Sequence, residues 1–279
     1  IAPRKISLPL LREMLVFGLP LVPASLASWV TMSADRFILK GFAPTSEIGL
    51  YGAAAALASG MSLVTGAFQL AWPPFAFSIS AQPGARAVYA RVLTLYALVG
   101  SFLATALSLF APLLLRLLTT PEYYDAYTSV PFLAFGYLAM GAMYITAVGA
   151  NLAKKSGPVA LSILVGAVIN TLLNFALIPA LGREGAAIAT FVAYVAVAAY
   201  LYRASQRLYP IPYQPRHVWL CLALGAALIA LDRLLLPAGD ALAPYLVRGL
   251  MCLAFAPLAF ALRIIRPEHL VSARNLVMA

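Results

Sequence analysis

Asn170 and Asn174 lie four residues apart inside a long apolar stretch, on one face of any helix it forms. Amides at membrane depth need a neighbouring helix, a water-filled cavity or a bound ion, so the pair is either interhelical glue or a ligand site. Upstream, Ser25, Ser28, Thr31 and Ser33 lead to the adjacent charges Asp35 and Arg36. One reading points Arg36 into an internal cavity, where it attracts an anionic head group with Asp35 as counter-charge or cation ligand. The other leaves the two charges at the interface, snorkelling outward and setting helix depth. Further on come Gln69, Trp72, Pro73, Pro74 and Phe75. A proline pair frees backbone carbonyls and bends or ends a helix, and Trp72 belongs either to that hinge or to an aromatic belt.

Covalent chemistry has little to work with. The only histidines are His217 and His269; there is no HExxH, no GxSxG and no phosphate-binding glycine loop. Glu122 and Asp125 fall in a loop, where they are either solvated or the acids of a membrane glycosyltransferase. Cys221 and Cys252 sit in apolar segments without the paired spacing of a metal or redox motif. No catalytic residue, metal site or cofactor is expected.

The elements that would position these side chains are membrane helices. Of 279 residues, 63% are hydrophobic and only 10% charged, far below the roughly 25% charged usage of soluble domains. The net charge of +10 is dispersed between apolar runs, which excludes a nucleic-acid partner and points to membrane topology. Apolar runs predict eight helices, near residues 12–40, 48–78, 88–118, 126–152, 157–181, 185–207, 217–236 and 242–265. Thirteen of the nineteen Lys and Arg fall at the termini and in every second loop, so both termini are expected on the cytoplasmic side of the cell inner membrane. The expected organisation is a cytoplasmic segment 1–11, a six-helix unit 12–207, a cytoplasmic linker 208–216, a two-helix appendage 217–265 and a cytoplasmic tail 266–279. The chain starts at Ile1 without a signal peptide and reads as a fragment.

Three stretches carry a family resemblance. They are Phe17-Gly-Leu-Pro-Leu-Val-Pro-Ala-Ser-Leu26 with Ser33-Ala-Asp-Arg-Phe37; Ile48-Gly-Leu-Tyr51 with Ala67-Phe-Gln-Leu-Ala-Trp-Pro-Pro-Phe-Ala76; and Asn170-Thr-Leu-Leu-Asn-Phe-Ala-Leu-Ile-Pro179 with Gly185-Ala-Ala-Ile-Ala-Thr190. In this order they resemble the second lobe of Wzx-type polysaccharide-biosynthesis flippases of the MOP superfamily. The resemblance implies an all-α, MATE-like fold of two six-helix lobes around a central cavity, here one lobe with two extra helices and the N-terminal lobe missing. It implies a flippase moving undecaprenyl-diphosphate-linked oligosaccharide for lipopolysaccharide or other polysaccharide biosynthesis, with that lipid-linked substrate, membrane lipids and the missing lobe as partners.

The candidate head-group residues are Arg36, Gln69, Trp72 and Asn151. Related lipid II flippases bind sodium in this lobe, which makes Asp35, Asn170, Asn174 and Thr190 the candidate cation ligands, with Na+ or H+ as coupling ion. Asp35 is expected too far outward to join them, and Asn174 is an amide where an acid is wanted. The rival readings are a MATE-type multidrug antiporter and a membrane glycosyltransferase or polymerase.

Overall fold

The computed structural model describes residues 7–19, 21–236 and 242–262; the side chains of Leu10, Ala24, Ser28, Val30, Met32 and Leu242 are also outside the description. Of the segment expected at 1–11, residues 1–6 lie outside the described residues, as do the segment expected at 266–279 and His269. Among the described residues every regular element is helical. The order is α1 (Leu8–Gly18), α2 (Leu21–Phe42), α3 (Thr45–Ala58), α4 (Gly60–Ser78), α5 (Ala85–Leu118), a 3-10 turn (Pro121–Thr128), α6 (Val130–Thr146), α7 (Val148–Leu152), α8 (Gly157–Leu208), α9 (Pro215–Leu235) and α10 (Leu242–Ala261).

Among the described residues, five helical spans are long and apolar enough to cross a membrane, or up to six if α3 and α4 are one bent span. The 52 residues of α8 would stretch to about 78 Å as one straight helix, far beyond a hydrocarbon core of about 30 Å. Gly182 resolves this with φ 55° and ψ −132°, folding α8 back on itself as an antiparallel hairpin of two passes. A side chain at Gly166 would run into Val197 of the returning half, and one at Gly185 would meet the Leu177 carbonyl at 2.5 Å. At 22 residues α2 is also long enough to cross, and Thr31, Ser33, Asp35 and Arg36 keep it less apolar than the others. Helix order thus accounts for the eight passes read from the sequence, and the protein is a polytopic all-α membrane protein.

The structure departs from the sequence reading in four places, the first being that the helix expected at 12–40 is described as two, α1 from Leu8 and α2 from Leu21. The 48–78 helix bends by 45° at Ser59, not at its prolines; α4 continues through Pro73 and Pro74 to Ser78. The two missing N–H groups leave the carbonyls of Gln69 and Leu70 without helical donors. Next, Ala147 interrupts the pass expected at 126–152, which begins with the separate 3-10 turn. Finally, the segment read as a linker is docked. Ile211 and Tyr213 are buried, the Gln206 amide makes two 2.6 Å hydrogen bonds with the Ile211 backbone, and the Tyr213 hydroxyl donates to the Ile145 carbonyl at 3.3 Å.

The hairpin of α8 packs against α2 and α6, α5 lies between α6 and α9, and α10 rests on α5 and α9. Gly225 of α9 faces Thr105 of α5 so closely that an added Cβ would stand 2.5 Å from the hydroxyl. Within the appendage, Arg248 of α10 is 1% exposed and donates from Nε to Asp232 Oδ1 of α9 at 2.7 Å, a buried pair absent from the sequence reading.

The two ends of the bundle differ in charge. At the Tyr209 end stand Arg12, Arg86, Arg91, Lys154, Lys155, Arg203, Arg207 and Arg216, against one described acid, Glu13, which pairs with Lys154 at 3.1 Å. At the Gly182 end the charges are matched. Glu47 at the start of α3 pairs with Arg183 at 2.5 Å and accepts the Arg183 backbone N–H at 3.2 Å, while Arg183 also reaches the Asp125 carbonyl at 3.3 Å. The Glu47 carboxylate therefore also caps the returning half of α8.

Any residue but glycine at 182 combines an unfavourable backbone with crowding, since a Cβ there would stand 3.0 Å from Glu47 Oε2. Gly182→Ala is expected to lower stability by about 1–3 kcal/mol. The reading is the apparent melting temperature in detergent, and a wild-type value would reject the tight turn.

Candidate functional site

The helix phase of α2 separates its two adjacent charges. Successive residues on a helix do not face the same way. Asp35 turns into the protein and is 5% exposed, whereas Arg36 is exposed. The interfacial-pair reading therefore fails for Asp35, which is buried against α3 and α8.

Three donors converge on its carboxylate. Tyr51 of α3 donates to Oδ2 at 2.6 Å, Thr190 of α8 donates to Oδ2 at 2.8 Å, and the Asn174 amide donates to Oδ1 at 2.6 Å. The hairpin delivers the last two together, since Asn174 and Thr190 stand eight residues before and after Gly182. Asn170, one turn from Asn174, completes the ring: its Oδ1 accepts from Asn174 at 3.1 Å and its Nδ2 donates to Thr190 Oγ1 at 3.4 Å.

The donors run in one direction. A carboxylate accepts only, so Asn174 must present its NH2 group; Asn170 must then offer its carbonyl to Asn174 and its NH2 to Thr190, whose hydroxyl proton is spent on Asp35. Three neutral donors thus converge on the Asp35 carboxylate, with no basic partner in the network. All five residues are at least nine-tenths buried.

One acceptor is left over. Asn174 Oδ1 is buried and has no hydrogen-bond partner. A buried amide oxygen without a donor is costly, and it stands beside a carboxylate, a second amide, a phenol and a hydroxyl. That oxygen-only set, with one negative charge, suits a hard monovalent cation. No group of three or more His, Cys, Asp or Glu side chains that could hold a metal ion occurs among the described residues, so the nitrogen and sulfur donors wanted by softer metals are missing here.

The structure thus brings together all four residues expected as cation ligands, and Asp35 is not too far outward. The fifth member, Tyr51, was passed over, although it ends the Ile48-Gly-Leu-Tyr51 stretch.

The head-group candidates are not gathered in this way. Arg36 is exposed towards the Gly182 end of α2, Gln69 is exposed on α4, and Asn151 is half-buried in α7 at the opposite, Tyr209 end. Trp72 is 4% exposed and packs inward, stacking on Phe68 with centroids 5.7 Å apart and meeting Tyr89 edge-on at 5.7 Å. As placed, Trp72 is part of the aromatic core. Its Nε1 has no acceptor among the described residues.

Residues 2–128 match the model of a family described as "Polysaccharide biosynthesis protein". The match covers α1 to the 3-10 turn, bearing out the resemblance over the first two motif stretches; the third lies beyond it. No curated protein matches the chain. Among solved structures the chain is similar to "Lipid II flippase MurJ, inward closed conformation", with a TM-score of 0.65 and 14% identity, over 94% of this chain and 57% of that one. At that identity the likeness establishes the fold. The chain spans 57% of the length of that protein.

Tyr51→Phe deletes one donor to Asp35 and leaves the ring in place. The expected cost is about 1–2 kcal/mol, between a charged hydrogen bond in water-soluble proteins and an average interhelical one in membranes. It should appear as a lower apparent melting temperature, and a neutral result would remove Tyr51 from the network.

Proposed function

We propose that this chain is the C-terminal lobe of a flippase that carries undecaprenyl-diphosphate-linked oligosaccharide across the cytoplasmic membrane for polysaccharide or lipopolysaccharide biosynthesis, working with an N-terminal lobe. The supports are the polysaccharide-biosynthesis match over 2–128 and the fold likeness to a lipid II flippase. The observation that carries the mechanism is the buried Asp35 network, which ties α2 and α3 to both halves of the α8 hairpin. The excess of Lys and Arg at the Tyr209 end favours that end as cytoplasmic, with the chain termini on that side.

The proposed reaction breaks no bond, so the protein is a transporter and not an enzyme. Its work is to offer a polar passage and to change which side the passage opens to. Arg36, exposed on α2, attracts the diphosphate; Gln69 on α4 and Asn151 in α7 offer amides to the sugars; Trp72 holds the α4 aromatic cluster from behind. Asp35, Asn170, Asn174 and Thr190, joined by Tyr51, form the coupling site. Na+ is the preferred ion, with H+ the alternative. A cation drawn to the free Asn174 oxygen would neutralise Asp35 and relax its hold on the three donors.

Two measurements test this. For the ion, raising Na+ to a hundred times its dissociation constant should stabilise the protein by about 2.7 kcal/mol, read against choline as control. Asp35→Asn should abolish that gain; equal stabilisation by Na+ and choline would exclude the Na+ site. For the substrate, Arg36→Ala in the full-length protein should cut surface polysaccharide export about tenfold or more, the equivalent of one lost charge contact, while membrane insertion stays normal. Wild-type export would exclude Arg36 from the head-group path.

A further inference from the structure

A cavity of about 360 Å3 lies away from the Asp35 network between α5, α6, the returning half of α8 and α9. None of the five network residues lines it. Its walls are apolar, with Leu93, Phe135, Leu138, Val195 and Leu222 among them. On α6 the lining runs from Phe135 to Thr146, a rise of about 16 Å along the helix. The cavity is therefore long and parallel to the membrane normal, the shape of an extended hydrocarbon chain.

Its mouth is at the Tyr209 end and is chemically different. Arg203 lines it five residues before the end of α8, is exposed and forms no ion pair among the described residues. Tyr202, Tyr213 and Trp219 stand at the same level, and Trp219 is 59% exposed. This is an interfacial belt of aromatics with a cation among them. The surrounding charge at this end is almost wholly positive, and the one described acid is already paired with Lys154. The docked 209–214 segment forms part of the rim, with Tyr213 held by the Ile145 carbonyl.

We infer that this cavity binds one acyl chain of an anionic membrane phospholipid, with the lipid phosphate on Arg203. An apolar molecule without a head group would leave Arg203 unmatched, and a zwitterionic lipid would bring no net charge to a basic rim. Basic pockets between helices at a membrane interface favour anionic head groups for this reason. The bound chain fills space between α9 and the α6–α8 core, making the lipid part of the packing that seats the last two helices.

The test uses the full chain in phosphatidylcholine vesicles. The 279-residue chain has three tryptophans, so Trp29→Phe with Trp72→Phe leaves Trp219 as its reporter at the cavity mouth. Chain-brominated phosphatidylglycerol should quench Trp219 with about fivefold higher affinity than chain-brominated phosphatidylcholine. Arg203→Ala should erase that preference, Arg207→Ala, which does not line the cavity, should keep it, and Ala198→Phe should weaken quenching by both lipids by filling the space. Native mass spectrometry of lipid adducts on the wild type and Arg203→Ala gives the same comparison with all tryptophans in place. Equal quenching by the two lipids, a preference surviving in Arg203→Ala, or displacement of the probe by a polyprenyl phosphate at lower concentration than by phosphatidylglycerol would overturn the assignment.

Discussion

A carboxylate at membrane depth must be answered by the protein around it, because no bulk water is there to solvate it. Asp35 imposes that demand, and much of the bundle meets it. Tyr51 must come from α3, and Asn174 and Thr190 from the two halves of α8, within hydrogen-bond distance of one side chain. That convergence requires α8 to double back at the right place, and the doubling requires a residue tolerant of φ 55° at 182. Glu47 then secures the turn from outside by pairing with Arg183. The hairpin, the start of α3 and the middle of α2 are thus parts of one arrangement around a single charge.

The second buried acid is answered differently. Asp232 meets a full positive charge on Arg248, 2.7 Å away and 1% exposed. Breaking such a pair leaves an uncompensated charge in a dry site, costing about 3–5 kcal/mol, so it favours one fixed arrangement. Asp35 has only neutral donors, each of which can rotate or find another acceptor at smaller cost. A proton or a metal cation could relieve Asp35 without leaving a stranded opposite charge. The contrast separates a joint between α9 and α10 closed by a full opposite charge from one closed by neutral donors alone.

Most helices were legible because a bilayer demands about 20 apolar residues per pass, a signal that survives any packing detail. The α8 hairpin was legible for the same reason, with Gly182 and Gly185 marking the break. The bend at Ser59 was not: Ser59-Gly60 is a weak local signal, and Pro73-Pro74 looked stronger, yet a helix can run through prolines when neighbouring groups take up its freed carbonyls. Beyond the prolines, the Tyr89 hydroxyl donates to the Ala76 carbonyl at 2.6 Å and fixes the C-terminal end of α4. The direction of Asp35 was not legible either. Whether it faces lipid, cavity or core depends on the rotation of α2 against α3 and the distant α8, which no local pattern encodes. Asn170 and Asn174 were readable as a pair from their spacing alone, whereas Tyr51 resembles any interfacial tyrosine until α3 is placed.

The position of Tyr51 also links the buried acid to the bent pass of α3 and α4. It lies on α3, eight residues before the 45° bend at Ser59, and α4 beyond the bend carries Gln69 and two carbonyls deprived of donors by Pro73 and Pro74. Helices soften where the hydrogen-bond ladder is incomplete. The α3–α4 pass therefore has its stiffest anchor at Asp35 and Glu47 and its weakest points at Ser59 and the proline pair, towards the Tyr209 end. Weakening the Tyr51 bond would release the pass at its anchored end, and Ser59 offers the nearest place for the change to be absorbed. A single hydrogen bond of 2.6 Å thus ties the buried acid to the bent pass that carries Gln69.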